Sequence, residues 1–213
     1  MVRKVPHRVT AGRSGSGGRA ALLGAAALAL AAVTVRGPGR RLDDRLFGWA
    51  NGSFYHPALD GGFRAITELG SLWAAVGAAG ALVAGGRRRE AADALGAATT
   101  MWLLGQGLKR AFGRLRPYDA DLPGPRRLLI GKPRGASWPS SHPATLLAFV
   151  SVAGRDLDLG PAARTALAAL ACAVGASRVA LGVHYPADVV GGLLLGRAVA
   201  EGWSRAVSPR VLD

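Results

Sequence analysis

SRVALGVHYPADVVGG (residues 177–192) sets an arginine, a histidine and an aspartate into a stretch otherwise made mostly of small and apolar residues. Pro186 marks a helix start, because proline is tolerated in the first turn and its fixed φ suits that position. His184 then sits just outside that helix and Asp188 in its first turn, where a carboxylate suits the helix dipole and can turn back toward the histidine. Arg178 falls at the end of the preceding apolar run, so all three groups gather at one junction between two helices.

The rest of the chain gives that junction its setting. Half of the 213 residues are hydrophobic, and they come in blocks separated by arginine-rich connectors. Six blocks can be read, at about residues 20–35, 69–86, 91–108, 142–154, 161–180 and 187–200. A bilayer core asks for about 20 apolar residues per helix, and several blocks are at or below the lower limit. A soluble Ala-rich bundle is the alternative, but there are too few polar faces to wrap one, and small residues suit close packing inside a membrane. The reading is an all-α, polytopic membrane protein with a six-transmembrane-helix bundle spanning residues 20–206. Residues 1–19 form a basic, Gly/Ser-rich tail expected to be disordered, and 207–213 a C-terminal tail. The first block also has the form of a signal peptide. Residues 36–65 match no pattern.

Formal charge is +14, which admits nucleic acid, anionic lipid or an acidic substrate as partner. The basic loop PGPRRLLIGKPRGAS (123–137) lacks interleaved aromatics and any nucleic-acid module, so attraction of anionic headgroups by Arg126 and Arg127 is the preferred account. Cys172, the single cysteine, is expected to be a small buried thiol. Trp73, Trp102, Trp138 and Trp203 fall near helix ends or within spans and are read as interfacial anchors.

Two further polar clusters interrupt the blocks. In GLKRAFGRLRPYD, Lys109 and Arg116 are seven residues apart, close to two helical turns, and would project from one face at the end of the third helix. In GASWPSSHPATLL, Ser140 and Ser141 before His142 and Pro143 read as hydroxyl caps and a first-turn proline. The free N–H groups of such a start form an anion site. In an alternating bundle the third helix ends, the fourth begins, the fifth ends and the sixth begins on one face. Parity therefore converges Lys109, Arg116, Ser140, Ser141, His142, Arg178, His184 and Asp188 at one membrane surface. Three permanent cations and a helix N-terminus suit a tetrahedral dianion such as phosphate. Two histidines beside it suggest a nucleophile and an acid, and no Asp/Glu cluster of the kind Mg²⁺ or Zn²⁺ needs accompanies them. The chemistry this predicts is phosphoryl transfer without metal or other cofactor.

KRAFGRLRP, PSSH and SRVALGVHYPAD together resemble the three signatures of the type 2 phosphatidic acid phosphatase (PAP2) superfamily, shared with vanadium haloperoxidases and bacterial acid phosphatases. The likeness covers about residues 66–200. It implies that Lys109, Arg116, Ser140 and Arg178 cradle phosphate with the backbone of Ser141, that His184 attacks phosphorus with Asp188 behind it, and that His142 protonates the leaving oxygen. Ser141 stands where the family usually has glycine, which puts pocket geometry in question. The resemblance implies a lipid phosphate or diphosphate phosphatase; the Ala/Arg/Gly-rich composition, which suggests a bacterial protein, favours polyprenyl diphosphate, with phosphatidate or phosphatidylglycerol phosphate as alternatives. It would sit in a bacterial cytoplasmic membrane with its site facing outward. A phosphotransferase using the same site and a non-catalytic lipid-phosphate receptor are the rival readings. Oligomeric state leaves no signal.

Overall fold

Alanine and leucine, the best helix formers, fill the apolar blocks, and the punctuation between them is equally plain. Pro161 follows Gly160 at one helix start, the Ser71 hydroxyl caps another by accepting from the Ala74 N–H at 3.0 Å, and Gly113 ends a third in the left-handed conformation at φ 58°. The computed structural model of the chain describes residues 15–53, 57–122 and 127–206. Within these it holds α1 (Gly15–Ala31) with a π-helical turn at Ala32–Arg36, α2 (Arg40–Ser53), α3 (Pro57–Glu68), α4 (Leu72–Ala84), α5 (Arg88–Phe112), α6 (Ser141–Asp156), α7 (Pro161–Ala180) and α8 (Pro186–Ala206). No strand occurs among the described residues.

The expected blocks correspond to α1, α4, α5, α6, α7 and α8. The unassigned stretch 36–65 holds two further helices, α2 and α3. In α2, Asp43, Phe47, Ala50 and Asn51 face inward while Leu42 and Trp49 stay exposed. Helix α1 begins at Gly15, inside the expected disordered tail; residues 1–14 and the 207–213 tail lie outside the described residues.

Among the described residues, two helical segments are long and apolar enough to cross a membrane, Gly17–Arg36 and Pro161–Ala180. The α3–α4 pair, bent by 62°, makes a third if it counts as one span. The others fall short for physical reasons. The 13 residues of α4 reach only about 20 Å at 1.5 Å per residue, and α5 carries charges at both ends.

Helix α6 is the central element, packed on α5, α7 and α8, while α1 lies along α8. Contact with α8 is backbone to backbone: a Cβ at Gly192 would stand 2.4 Å from the Ser140 carbonyl, and one at Gly196 2.4 Å from that of Ala144. These glycines draw α8 close to the start of α6, as small residues do between membrane helices. At the far end Arg155 of α6 pairs with Asp93 of α5 at 2.9 Å, and the Trp203 indole of α8 donates to the same carboxylate.

Two side chains depart from expectation. Cys172 is exposed, because its position on α7 faces an outer apolar groove with Leu46 and Trp49 rather than the core. Trp138 is fully buried against Phe112, with ring centroids 4.4 Å apart, and Trp203 is tied to Asp93. Trp138 is therefore a core residue and not an interfacial anchor.

Candidate active site

Helix α5 stops at Phe112, so Arg116 lies four residues past its end and not on the helical face that carries Lys109. The two are brought together by the extended turn after Gly113, and periodicity has no part in it. There the Arg116 Nε donates to the Gly135 carbonyl at 2.9 Å and Nη1 to the Val183 carbonyl at 2.9 Å. The guanidinium thus stitches the 127–140 segment to the α7–α8 turn. That turn needs Gly182, at φ 80°, where a Cβ would stand 1.8 Å from the Arg127 carbonyl oxygen.

Six of the eight residues expected from parity line a single cavity. Lys109, Arg116, Ser141, His142, Arg178 and His184 line one cavity of about 440 Å³. Trp73, Trp102 and Gln106 form its side toward α4 and α5, and Arg134 stands at its rim. Ser140 and Asp188 do not line it. Ser140 is wholly buried at the N-terminus of α6, its hydroxyl makes no capping bond, and its N–H donates to the Asp188 carbonyl at 3.0 Å. Asp188 lies one layer behind His184. The anchors of the basic loop are also specific. Arg127 pairs with Asp60 at 2.9 Å and its N–H donates to the Asn51 side chain at 3.0 Å, which makes it a clamp to α2 and α3 and not a free headgroup attractor. Arg126 lies outside the described residues.

His184 is 1 % exposed, and its two ring nitrogens have different partners. Nε2 is 3.2 Å from Arg116 Nη1. A guanidinium can only donate, so Nε2 is the unprotonated nitrogen and Nδ1 carries the hydrogen. Nδ1 lies 3.4 Å from Asp188 Oδ2 and 3.5 Å from the Ser137 hydroxyl. Burial first, and then the positive charges of Arg116, Lys109 and Arg178, push His184 well below the ordinary imidazole value, so the ring is neutral.

Several polar atoms facing this region have no partner among the described residues: the Ser141 hydroxyl, the Thr145 hydroxyl and Arg178 Nε. Arg178 spends one nitrogen on the Thr67 hydroxyl at 3.0 Å. Buried groups left this way are costly unless something pairs with them, and acceptor oxygens of a bound anion would satisfy the donors. Ser141 lines the cavity with its hydroxyl lying over Gly105 of α5, where a Cβ would come within 3.1 Å of it, so the absent Cβ makes room for the serine.

Arg114 and Asp43 escape a reading of the sequence. Arg114 donates from Nη1 to Asp188 Oδ1 and from Nη2 to Asp43 Oδ2, both at 2.7 Å. Burial alone would lower its pKa, but the two carboxylates outweigh that and hold it above its ordinary value. Asp43 Oδ1 also accepts from the Ala187 N–H at 3.0 Å. In the sequence, Arg114 is one arginine among many beside Arg116, and Asp43 lies in a stretch with no motif.

Residues 90–211 match the model of the PAP2 superfamily. Decaprenylphosphoryl-5-phosphoribose phosphatase of Mycolicibacterium smegmatis is 31% identical over 139 residues, which is 64% of this chain and 72% of that protein. Lipid A 1-phosphatase of Rhizobium etli is 38% identical over 96 residues, 44% of this chain and only 40% of that relative's length. Among solved structures, a transmembrane PAP2-type phosphatidylglycerolphosphate phosphatase from Bacillus subtilis superposes with a TM-score of 0.74 at 24% identity, covering 87% of this chain and 94% of that one. Aquifex aeolicus LpxE superposes at 0.66 with 26% identity, covering 76% and 93%. With its three polar clusters meeting in one cavity, this chain belongs to the PAP2 superfamily and is a phosphatase of that type.

Proposed function

We propose that the protein removes phosphate from a polyprenyl-linked phosphate or diphosphate at the membrane surface, through a covalent phosphohistidine on His184. The observation that carries this reading is the meeting of Lys109, Arg116 and Arg178 with both histidines in one cavity. The three cations exceed the charge of a phosphate dianion by one and suit its binding. The unprotonated Nε2 of His184 points toward the same space as Arg116.

In the first step the Nε2 lone pair forms a bond to phosphorus while the bond from phosphorus to the lipid oxygen breaks. His142 gives its proton to that oxygen. In the second step water attacks phosphorus, His142 takes the water's proton, and the P–N bond breaks to release phosphate and restore His184. Asp188 holds Nδ1–H throughout, the orienting role of the third member of a catalytic triad. Ser140 contributes through its position at the start of α6, Ser141 through its backbone and hydroxyl.

The bundle this requires has α1, α4, α5, α6, α7 and α8 as its six spans, with the site at one face. Arg87, Arg88 and Arg89 sit at the α4–α5 turn, the opposite end of α5 from Lys109. The cavity face is also basic, so the positive-inside rule does not decide by itself; with the basic N-terminal stretch, this turn supports a site facing outward from a bacterial cytoplasmic membrane. The polyprenyl class is favoured because the mycobacterial relative acts on a decaprenylphosphoryl-phosphoribose.

Phosphate release in detergent with chelator present tests the reading. The panel is decaprenylphosphoryl-5-phosphoribose, polyprenyl mono- and diphosphate, phosphatidate, phosphatidylglycerol phosphate and lipid A. Chelator-resistant release is expected, fastest from a polyprenyl lipid. Preference for phosphatidate would move the substrate class, and phosphate binding without release from any lipid would favour a receptor or a transferase awaiting its acceptor.

The serine in the glycine position gives a sharper expectation. Because Gly105 leaves room for its hydroxyl, Ser141→Gly should change kcat/KM by less than about threefold, the size of one weak neutral hydrogen bond. Gly105→Ala should raise KM more than that, by driving the hydroxyl into the phosphate space. Steady-state kinetics on the preferred lipid checks both.

A further inference from the structure

We propose that Asp43 and Arg114 are positioning residues of this reaction, forming with Asp188 a buried chain that keeps one net negative charge behind the attacking imidazole. The proposal rests on His184 being the nucleophile, as argued above. Its starting point is a charge count. Asp188 alone would supply one negative charge to His184, but Arg114 lies 2.7 Å from its carboxylate and cancels it. Asp43, 2.7 Å from the other arm of the same guanidinium, restores it. All three groups are buried, with Asp43 3 % exposed, Arg114 7 % and Asp188 wholly enclosed. Water therefore screens these charges little. The Arg114 guanidinium also stacks 3.9 Å from the centre of the Tyr185 ring, which fixes its plane.

The reaction gives this charge something to do. When Nε2 bonds to phosphorus, the ring, still carrying hydrogen on Nδ1, becomes a cation. On the cavity side it faces Lys109, Arg116 and Arg178, with His142 beyond. The phosphoryl group answers the cavity cations, and the chain behind the ring offsets the new charge from the other side. Geometry supports the same role: Arg114 Nη1 occupies Asp188 Oδ1 and leaves Oδ2 for the Ser137 hydroxyl, the Tyr185 N–H and His184 Nδ1. Helix α2, which supplies Asp43, thereby becomes part of the catalytic apparatus and not a peripheral strap.

The two single variants should act in opposite directions. Asp43→Asn keeps an acceptor for the Ala187 N–H but turns its NH₂ toward Arg114 and removes a charge, leaving none net behind His184. Its imidazole then loses its proton at lower pH, and the acid limb of kcat/KM moves down. Arg114→Met leaves two negative charges behind His184, and that limb moves up. Combining them restores one negative charge and returns the limb toward its wild-type position. Asp43→Asn should also lower kcat roughly 10- to 100-fold, the scale seen when partners behind a metal-ligating histidine are removed, with KM changed less than about threefold.

The experiment measures kcat/KM against pH for the full-length protein in detergent micelles. Wild type, both single variants and the double variant are assayed with one lipid phosphate, alongside acid-labile phosphoenzyme trapped by rapid quench. Opposite shifts that cancel in the double variant would establish the chain. A limb that stays fixed, or moves the same way in both single variants, would overturn it, because a purely structural loss has no sign. If Asp43→Asn does not fold, the upward shift in Arg114→Met remains decisive. Absence of phosphoenzyme in wild type would instead overturn the His184 reading, so the two failures are told apart.

Discussion

Replacing His184 with alanine should abolish phosphoenzyme and lower chelator-resistant phosphate release by about 10³-fold or more, a loss of at least ~4 kcal/mol of transition-state stabilisation. Nothing else in the cavity can take over. Among the described residues His142 is the only other imidazole lining it, and the remaining polar side chains are cations, hydroxyls and the Gln106 amide. What survives in His184→Ala is binding and charge neutralisation by Lys109, Arg116 and Arg178, enough to hold a phosphate but not to attack it. His142→Ala should behave differently. A general acid matters in proportion to the basicity of the leaving oxygen, so this variant should fail with a lipid alkyl phosphate yet recover much of its rate with an aryl phosphate such as p-nitrophenyl phosphate. Recovery in His142→Ala and none in His184→Ala would separate acid from nucleophile. Equal losses on both substrates would merge the two roles and remove the assignment.

The pH dependence has its own sign. His184 must be neutral to attack, and burial with three neighbouring cations pushes its pKa well below the ordinary value. The acid limb of kcat/KM should therefore lie below the ~6.5 of a free imidazole. His142 must be protonated when substrate is bound, and a phosphate dianion beside it favours its charged form. The alkaline limb of kcat should accordingly vanish in His142→Ala and persist, at whatever rate remains, in variants around Asp188. Limbs that both survive in His142→Ala would exclude it as the acid.

Much of this site is legible in the sequence because helix ends are. Pro143, Pro161 and Pro186 mark starts, and the counting of alternate ends that follows needs no tertiary information. It brings Arg178, His142 and His184 into one cavity. Spacing misleads at Arg116, where a seven-residue interval imitates two helical turns although Gly113 ends the helix after Phe112. Composition misleads at Cys172, because in an Ala-rich membrane-type bundle the apolar outer surface resembles the core, and a thiol suits either. The contribution of α2 stays hidden for a different reason. Asp43 reaches the site through Arg114 and the Ala187 N–H, contacts across 71 and 144 positions, and no local pattern encodes them. The α6–α8 contact lies between these cases: Gly192 and Gly196 have helical spacing in the sequence, but only the structure shows Ser140 and Ala144 as the backbone they approach.

Asp188→Asn should cost nearly as much as loss of His184, about 10³-fold in kcat, although it changes one atom. Every donor around this side chain demands an acceptor. Oδ1 takes Arg114, and Oδ2 takes the Ser137 hydroxyl and the Tyr185 N–H and faces His184 Nδ1. An amide has one acceptor oxygen, so either orientation points an N–H₂ at a buried donor. With the NH₂ toward Arg114, the guanidinium keeps only Asp43 and a buried charge loses a partner. With the NH₂ toward His184, Nδ1 must become the acceptor and the ring hydrogen moves to Nε2, the nitrogen that has to attack. The same substitution in a serine-protease triad lowers kcat about 10⁴-fold through the wrong tautomer. Nitrogen-15 shifts of the labelled ring read that tautomer directly, and vanadate binding reports whether the phosphate cradle is intact. The expected result is retained vanadate binding, a ring protonated on Nε2, and turnover near the detection limit. Wild-type turnover with an Nδ1–H ring would show that Arg116 and the Val183 backbone orient His184 unaided, and Asp188 would then belong to the fold and not to the reaction.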